Sequence, residues 1–316
     1  MKSRRRVNST VRRFTVSRSL TRLVRLLCSQ MEKQNMKNAL HRKFSVLAVI
    51  LLLGVLGESA ASPIVRQGQI EGPQRGALVL AGGGRTIEEV QKRFVALAGG
   101  QSGHLVVIPS GLPPERLIAS ELVRLKNRES EIFGIPDVTV LHAKDRAEAN
   151  AKEFVKPLQR ATAVWILGGD ETQLAKLYVG TLTEREIKAV ADRNGVLGGT
   201  SAGAMILAQF VGDPKKGDTN PFTRKISAFG LLTNAIILPH WSERDLRAKA
   251  IDWLTQHPGV LIMGIDETAA VVIAGSRLEV MGSGHIGLYD GKTHEGQPYR
   301  MLAGGQVLDL KTISIN

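Results

Sequence analysis

The run Gly199-Thr200-Ser201-Ala202-Gly203 reads G-x-S-x-G. A serine hydroxyl attacks a carbonyl only when it is held exposed beside a base, and a sharp strand-to-helix turn holds it so. The flanks fit such a turn. Val196-Leu197-Gly198 precedes it as a short apolar strand, and Ala204-Met205-Ile206-Leu207-Ala208 follows as an apolar, helix-like run. The turn also aims backbone N–H groups, that of Ala202 among them, at the place where an oxyanion would form. The same residues suit a glycine-rich turn in which Ser201 merely caps a helix. The partners of a catalytic serine must therefore be found elsewhere in the chain.

Those partners are a base and a carboxylate that orients it. His104 opens an apolar strand, which puts it at the opposite edge of a parallel sheet. His142 follows a strand in a polar, loop-like stretch, and His257 precedes Pro258 at a helix end. His285 and His294 lie in a glycine-rich tail. His240 directly follows an apolar strand, and Asp266-Glu267 follows another. In open α/β sheets, sites gather beyond the carboxyl ends of the strands. Here those ends carry Gly82-Gly83-Gly84, Gly168-Gly169-Asp170, Ser201, His240 and Asp266-Glu267. An ordinary loop histidine at 240 and a turn-capping Glu267 remain open as plainer readings.

The elements that must position these residues are short apolar runs alternating with longer amphipathic ones. Strands are predicted at Ala77–Ala81, His104–Ile108, Val138–Leu141, Ala163–Leu167 and before the elbow. Helices are predicted at Ile87–Leu97, Pro114–Leu125, Ala147–Leu158, Thr172–Tyr178 and Glu184–Asn194. Strand–helix alternation indicates an α/β domain with a mostly parallel sheet, and unbroken apolar strands such as Leu105–Ile108 fit burial on both faces. Beyond the elbow the pattern changes. Strands are expected at Ala235–Leu238 and Leu261–Ile265 around a helix at Asp245–Leu254, then paired strands at Ala269–Ala274 and Leu278–Met281.

The formal net charge of +13 resides mostly in the N-terminal region: residues 1–35 carry +9 and residues 36–61 carry +2, leaving +2 for residues 62–316. So nearly neutral a domain has no field to attract nucleic acid. Residues 36–61 read as a signal peptide, with a basic start at Lys37, Arg42 and Lys43, an apolar run Val46–Leu56, and small residues Ser59 and Ala61 before a cut at Ser62. The apolar run is short for a membrane span, which needs about 20 residues. An uncleaved anchor is the alternative, and cleavage would leave no stable membrane span. Residues 1–35 are a basic leader that reads as an over-extended start or, second, as a transit peptide; Met1, Met31 and Met36 all remain candidate starts. The expected organisation is this leader, the signal peptide 36–61, a flexible lead-in 62–76 and one catalytic domain 77–316. The single cysteine, Cys28, lies in the leader, so the exported part has no disulfide, thiol nucleophile or cysteine metal site.

Six segments together resemble one family: LVLAGGG (78–84), HLVVIPSG (104–111), ILGGDETQL (166–174), GVLGGTSAGAMIL (195–207), FGLLTNAIILPHWSERDLR (229–247) and GIDETAAVVI (264–273). The chain resembles the cyanophycinase and dipeptidase E family of serine peptidases. The resemblance implies a three-layer α/β/α fold with a mostly parallel central sheet, of the class I glutamine amidotransferase-like type. It places the nucleophile on Ser201, the base on His240, the orienting acid on Glu267 and the oxyanion donors on the N–H groups of Gly169 and Ala202. Substrate contacts fall on Asp170, Glu171, Arg244 and Arg247. No metal or cofactor is implied. The implied partner is an aspartyl peptide or a cyanophycin-like polymer, and a homodimer is compatible with it. The Ser–His–Glu order also differs from the Ser–acid–His order of α/β-hydrolases.

Departures from the family concern specificity. Glu171 stands where cyanophycinases usually carry glutamine, and Pro239 where a second glutamine is usual. Glu171 as an anion would only accept hydrogen bonds, favouring a cationic group on the substrate. Arg244 and Arg247 would suit its carboxylate. The implied activity is hydrolysis of aspertyl-type peptide bonds, such as β-Asp-Arg units, through an acyl-enzyme. An amidase or glutaminase-like activity and a catalytically silent binding protein are the alternatives.

Overall fold

The structure, a computed structural model, describes residues 69–84, 87–212 and 225–315, so the expected leader, the signal peptide and the first part of the lead-in lie outside the described residues. Within the compact unit Val65–Asn316, the apolar runs become strands as expected. β1 (Ala77–Ala81), β2 (Leu105–Ile108), β3 (Val138–Val140), β4 (Ala163–Ile166) and β5 (Val196–Thr200) pair in parallel in the order β1-β5-β4-β2-β3. Their residues alternate between two cores. Leu78, Leu80, Val106, Ile108, Val164, Ile166 and Leu197 enter one. Val79, Leu105, Val107, Trp165 and Val196 enter the other. Burial on both faces is why these strands are continuously apolar.

The helices follow as α1 (Glu88–Leu97), α2 (Ala119–Phe133), α3 (Arg146–Ala149), α4 (Lys152–Arg160), α5 (Glu171–Tyr178), α6 (Leu182–Asp192), α7 (Ala202–Met205) and α8 (Arg247–Gln256). α1 and α2 cover one face of the sheet through Phe94 and Phe133, which pack around Trp165 with ring centroids 5.1 and 5.2 Å away. α4 and α6 cover the other through Val155, Leu158, Ile187 and Val190. The layers are those of an α/β/α fold.

Three helix expectations change. Pro114 starts only a 3-10 turn, Pro114–Arg116, and α2 begins later and ends at Gly134, whose φ of 61° stops it. The helix expected at Ala147–Leu158 is two helices. Between them Asn150 turns its side chain to the carbonyl of Arg146 and the N–H of Leu182. The apolar run after Ser201 is helical only to Met205, because the carbonyls of Ile206 and Leu207 receive the N–H groups of Phe229 and Leu231 instead.

Among the described residues nine more strands follow: β6 (Phe210–Gly212), β7 (Lys225–Ser227), β8 (Ala235–Pro239), β9 (Leu261–Ile265), β10 (Ala269–Ala274), β11 (Arg277–Gly282), β12 (His285–Tyr289), β13 (Arg300–Ala303) and β14 (Val307–Asp309). The expected pair β10 and β11 adds antiparallel to β1, and β14 closes that edge. β8, β9, β12 and β13 form a second sheet in the order β13-β12-β9-β8, and β6 pairs with β7. The lead-in is not free over its described part. Ile70 is 1% exposed, Glu71 exchanges backbone and side-chain hydrogen bonds with Thr233, and the carbonyl of Gln69 accepts from the Asn234 side chain.

The second sheet is held around Trp241, which is fully buried beside His240. A Cβ on Gly264 of β9 would sit 2.5 Å from the indole, and one on Gly287 of β12 would sit 2.4 Å from it. The indole N–H donates to the Tyr289 hydroxyl at 3.0 Å. These two glycines are spaces for a ring, and filling either must displace it. Gly287→Ala is expected to lower stability by about 1–3 kcal/mol, the usual cost of overpacking. Denaturant unfolding of the variant against the parent measures it.

Candidate active site

The elbow forms because two of its residues have no room for a side chain. A Cβ on Gly199 would lie 2.3 Å from the carbonyl oxygen of Gly203, and a Cβ on Gly203 would lie 2.0 Å from that of Ile166. Between them Ser201 takes φ 53° and ψ −123°, a strained conformation for a residue with a side chain. Its N–H donates to Ala81 of β1 at 3.1 Å, which pins the turn to the next strand.

β8 delivers His240 to this serine. The imidazole Nε2 stands 2.9 Å from Ser201 Oγ, and Nδ1 stands 2.5 Å from Glu267 Oε1, just past β9. A carboxylate only accepts, so the network assigns the proton to Nδ1 and leaves Nε2 to accept from the serine hydroxyl. His240 is 8% exposed and has φ 56°. Its own N–H donates to the carbonyl of Gly82 at 2.8 Å. The ring lies against Gly83, where a Cβ would come within 2.2 Å of Cε1. The Gly82-Gly83-Gly84 run is therefore the bed of the imidazole.

The residues expected to supply the oxyanion donors, Gly169 and Ala202, lie on two segments near Ser201. Gly168 backs onto Ser201, since a Cβ there would be 3.1 Å from Ser201 Cβ. Gly169 takes φ 138° against the carbonyl of Gly111, a conformation reserved for glycine, and the next N–H, from Asp170, donates to that carbonyl at 2.8 Å. Ala202 is the first residue of α7, a position whose N–H has no acceptor within the helix.

The four expected substrate contacts separate. Asp170 caps α5: its carboxylate accepts from the Thr172 hydroxyl and the Gln173 N–H. Burial raises its pKa, but these bonds outweigh it and hold the group below its usual value. For Glu171, burial is the leading influence and pushes the carboxyl up; Asp170 adds to this, and Arg244 opposes it. Arg244 is exposed. Arg247 is spent elsewhere. Its guanidinium lies 4.8 Å over the Trp241 ring and donates to Ser242 Oγ at 3.0 Å, which makes it a brace for the His240 loop.

Of the other described histidines, the structure brings none to Ser201. His104 sits buried against Asp137, 2.9 Å away, and His294 pairs with Asp290. His257 packs on Trp253. His142 is tied to Ser110 at 2.9 Å. Sequence reasoning gave Asp266 no role beyond its place next to Glu267. It is 5% exposed and binds two N–H groups, Ser242 at 3.1 Å and His285 at 2.9 Å, so it joins the loop after His240 to β12. An acid directly after an apolar strand was the signal. Among the described residues no cluster of histidine and acid side chains could hold a metal ion.

A serine hydroxyl bonded to an imidazole that is bonded in turn to a carboxylate, on an α/β/α frame, is the arrangement of a serine-type hydrolase. The comparisons narrow the class. The model of peptidase family S51 matches residues 78–281, and the chain belongs to that family of serine-type peptidases. The cyanophycinase of Geminocystis herdmanii is 27% identical over 234 residues, covering 72% of this chain and 85% of that one. The cyanophycinase of Synechococcus elongatus is 28% identical over 207 residues, and the match covers 64% of this chain and 63% of that one. The crystal structure of a peptidase from an acI-B1 Actinobacterium shares the fold, with a TM-score of 0.60 and 23% identity over 77% of this chain and 98% of that one.

The bed of the imidazole can be tested. Gly83→Ala must push the ring away from Ser201 or force the loop off its φ of 131°. Its kcat is expected to fall by about 100-fold, the scale of a misplaced catalytic group. A kcat within a few-fold of the parent would show that the ring does not depend on this contact.

Proposed function

We propose that Ser201, His240 and Glu267 are the catalytic triad of an exopeptidase that hydrolyses aspartyl peptides, with the β-Asp-Arg units of cyanophycin as the leading candidate. The observation that carries this is the continuous chain from Ser201 Oγ through both nitrogens of His240 to Glu267. In this reading Ser201 Oγ bonds to the scissile carbonyl carbon as His240 Nε2 takes its proton. The N–H groups of Gly169 and Ala202 receive the oxyanion. The leaving amine departs with the proton from Nε2, giving an acyl-enzyme. Water then attacks, its proton going to Nε2, and the acid product leaves as Ser201 regains its proton. Glu267 accepts from Nδ1–H throughout and stabilises the imidazolium.

The cyanophycinase relatives support the substrate class. The departures at Glu171 and Pro239 argue that its recognition is built differently here. Arg244, which is exposed, is the proposed receiver of a substrate carboxylate, in preference to Arg247, whose guanidinium lies over Trp241 and bonds to Ser242. Export remains part of the proposal: residues 36–61 have the order of a signal peptide, and N-terminal sequencing of the exported protein should begin at Ser62. A mature species retaining Val46–Leu56 would make the segment an anchor.

Incubation with cyanophycin and a panel of aspartyl dipeptides tests the activity, and a fluorophosphonate tests the nucleophile. His240→Ala should lower kcat by about 1,000-fold or more, as loss of a triad member does. His285→Ala, an exposed side chain outside the relay, should stay near the parent value. The reverse pair of results would remove His240 as the base. Labelling of Ser201 with no peptide cleaved would instead mark a different substrate, and no labelling a silent binding protein.

A further inference from the structure

A cavity of about 490 Å³ opens beside the elbow on the face covered by α1 and α2. Gly84 and Thr200 are among its lining residues. Each neighbours the relay: a Cβ on Gly84 would lie 3.2 Å from Glu267 Oε2, and Thr200 precedes Ser201 in the chain. Side chains on β5 alternate, so Thr200 shares the face of Val196 and Gly198, away from the core that holds Leu197. Leu167 and Trp165 form the inner wall. The indole fills the space over Gly198, where a Cβ would meet it at 2.4 Å, and so makes the floor. From Leu167 to Trp165 is two residues, about 7 Å along a strand. The cavity is mixed in character, with Ile132, Trp165 and Leu167 as apolar lining and Gln91, Arg128, Glu129, Glu131 and Thr200 as polar lining.

Two polar groups lining this cavity bear on what it could hold. Thr200 Oγ1 is buried with no hydrogen-bond partner among the described residues, which costs free energy unless something satisfies it. Glu129 of α2 lines the same cavity, yet is only 2% exposed. Burial pushes its carboxyl up, with Arg128 opposing. Arg128 donates to Oε1 from a side chain that is 49% exposed, reaching back from the surface. A carboxylate has acceptor positions for more than one cation, and bidentate guanidinium binding uses them fully. Glu129 is therefore a buried acid, paired with one surface cation, that lines a cavity beside the nucleophile.

We propose that this cavity is the subsite for a basic side chain of the peptide substrate, its stem lying along Leu167 and Trp165 and its cationic head held by Glu129, with the Thr200 hydroxyl as a second acceptor. The proposal rests on the peptidase reading above and deepens it. It moves recognition of the cation from Glu171 to the face of β5 that carries Thr200. Arg128 competes with the substrate for Glu129, so the subsite discriminates by exchange of one cation for another.

Calorimetric titration of the full chain with L-arginine amide and with its neutral isostere L-citrulline amide tests this without requiring turnover. The parent should bind arginine amide tighter by roughly tenfold or more, the size of one charge-assisted hydrogen bond. Glu129→Gln should bring the two ligands level. Arg128→Ala, at a half-exposed position, should tighten arginine amide, and Thr200→Val should weaken it several-fold; both keep the test decisive if Glu129→Gln does not fold. Equal affinities in the parent, a preference that survives Glu129→Gln, or one erased by Glu171→Gln instead, would overturn the proposal. So would Arg128→Ala and Thr200→Val both binding as the parent does. A parallel hydrolysis assay separates the two ideas. Arginine preference without cleavage of any aspartyl peptide would sink the substrate reading and leave the subsite. Cleavage without the preference would do the opposite.

Discussion

The whole arrangement depends on holding one imidazole between two sheets. His240 ends a strand of the small sheet, while Ser201 ends a strand of the large one. Neither sheet alone could align them. The tie is backbone to backbone: the N–H of His240 donates to Gly82, just past β1, and the N–H of Ser201 donates to Ala81 one residue earlier. Both reacting side chains are thus registered against the same strand end. Each residue takes a positive φ to get there, which costs on the order of 1–3 kcal/mol and persists only where the surroundings enforce it. Gly83 enforces it for His240 by leaving no alternative place for the ring.

Around this pair the acids divide their work by burial and by neighbours. Glu267 faces Nδ1 directly, and its N–H is held by Glu243 at 3.0 Å. Asp266, one residue away, has no contact with the ring and serves the backbone of Ser242 and His285. Adjacent acids after a strand point in different directions, so one can orient a base while the other fixes the loop that carries it. Asp170 and Glu171 show the same division. The first is committed to the cap of α5, and the second is half-buried, with burial pushing its carboxyl up.

Much of the frame was legible in the chain. The five parallel strands stood out because burial on both faces demands unbroken apolar runs, and the hairpin of β10 and β11 because its two halves flank Gly275. The elbow was legible because glycine at 199 and 203 is a steric necessity. Helix ends were less so. Asn150 and the segment 229–231 compete for backbone groups from distant parts of the chain, and no local pattern announces that. The second sheet was missed because β12 and β13 read as a glycine-rich tail. Gly287 there makes room for an indole supplied by Trp241, far away in sequence.

The sequence by itself determined the residue types and their order: a serine in a turn that only glycines permit, then a histidine and an acid, each directly after an apolar strand. Local sterics and burial patterns are enough for that, because they act over a few neighbouring residues. Only the tertiary structure decided which basic and acidic groups are free to meet a substrate. Arg247 was set over the face of Trp241, and Glu171 was half-buried with its carboxyl pushed up by burial. Glu129, unremarkable in an amphipathic helix, was turned inward to line a cavity beside the nucleophile. The reason is that a charge is defined by its surroundings, and those surroundings come from segments that meet only when the sheets close.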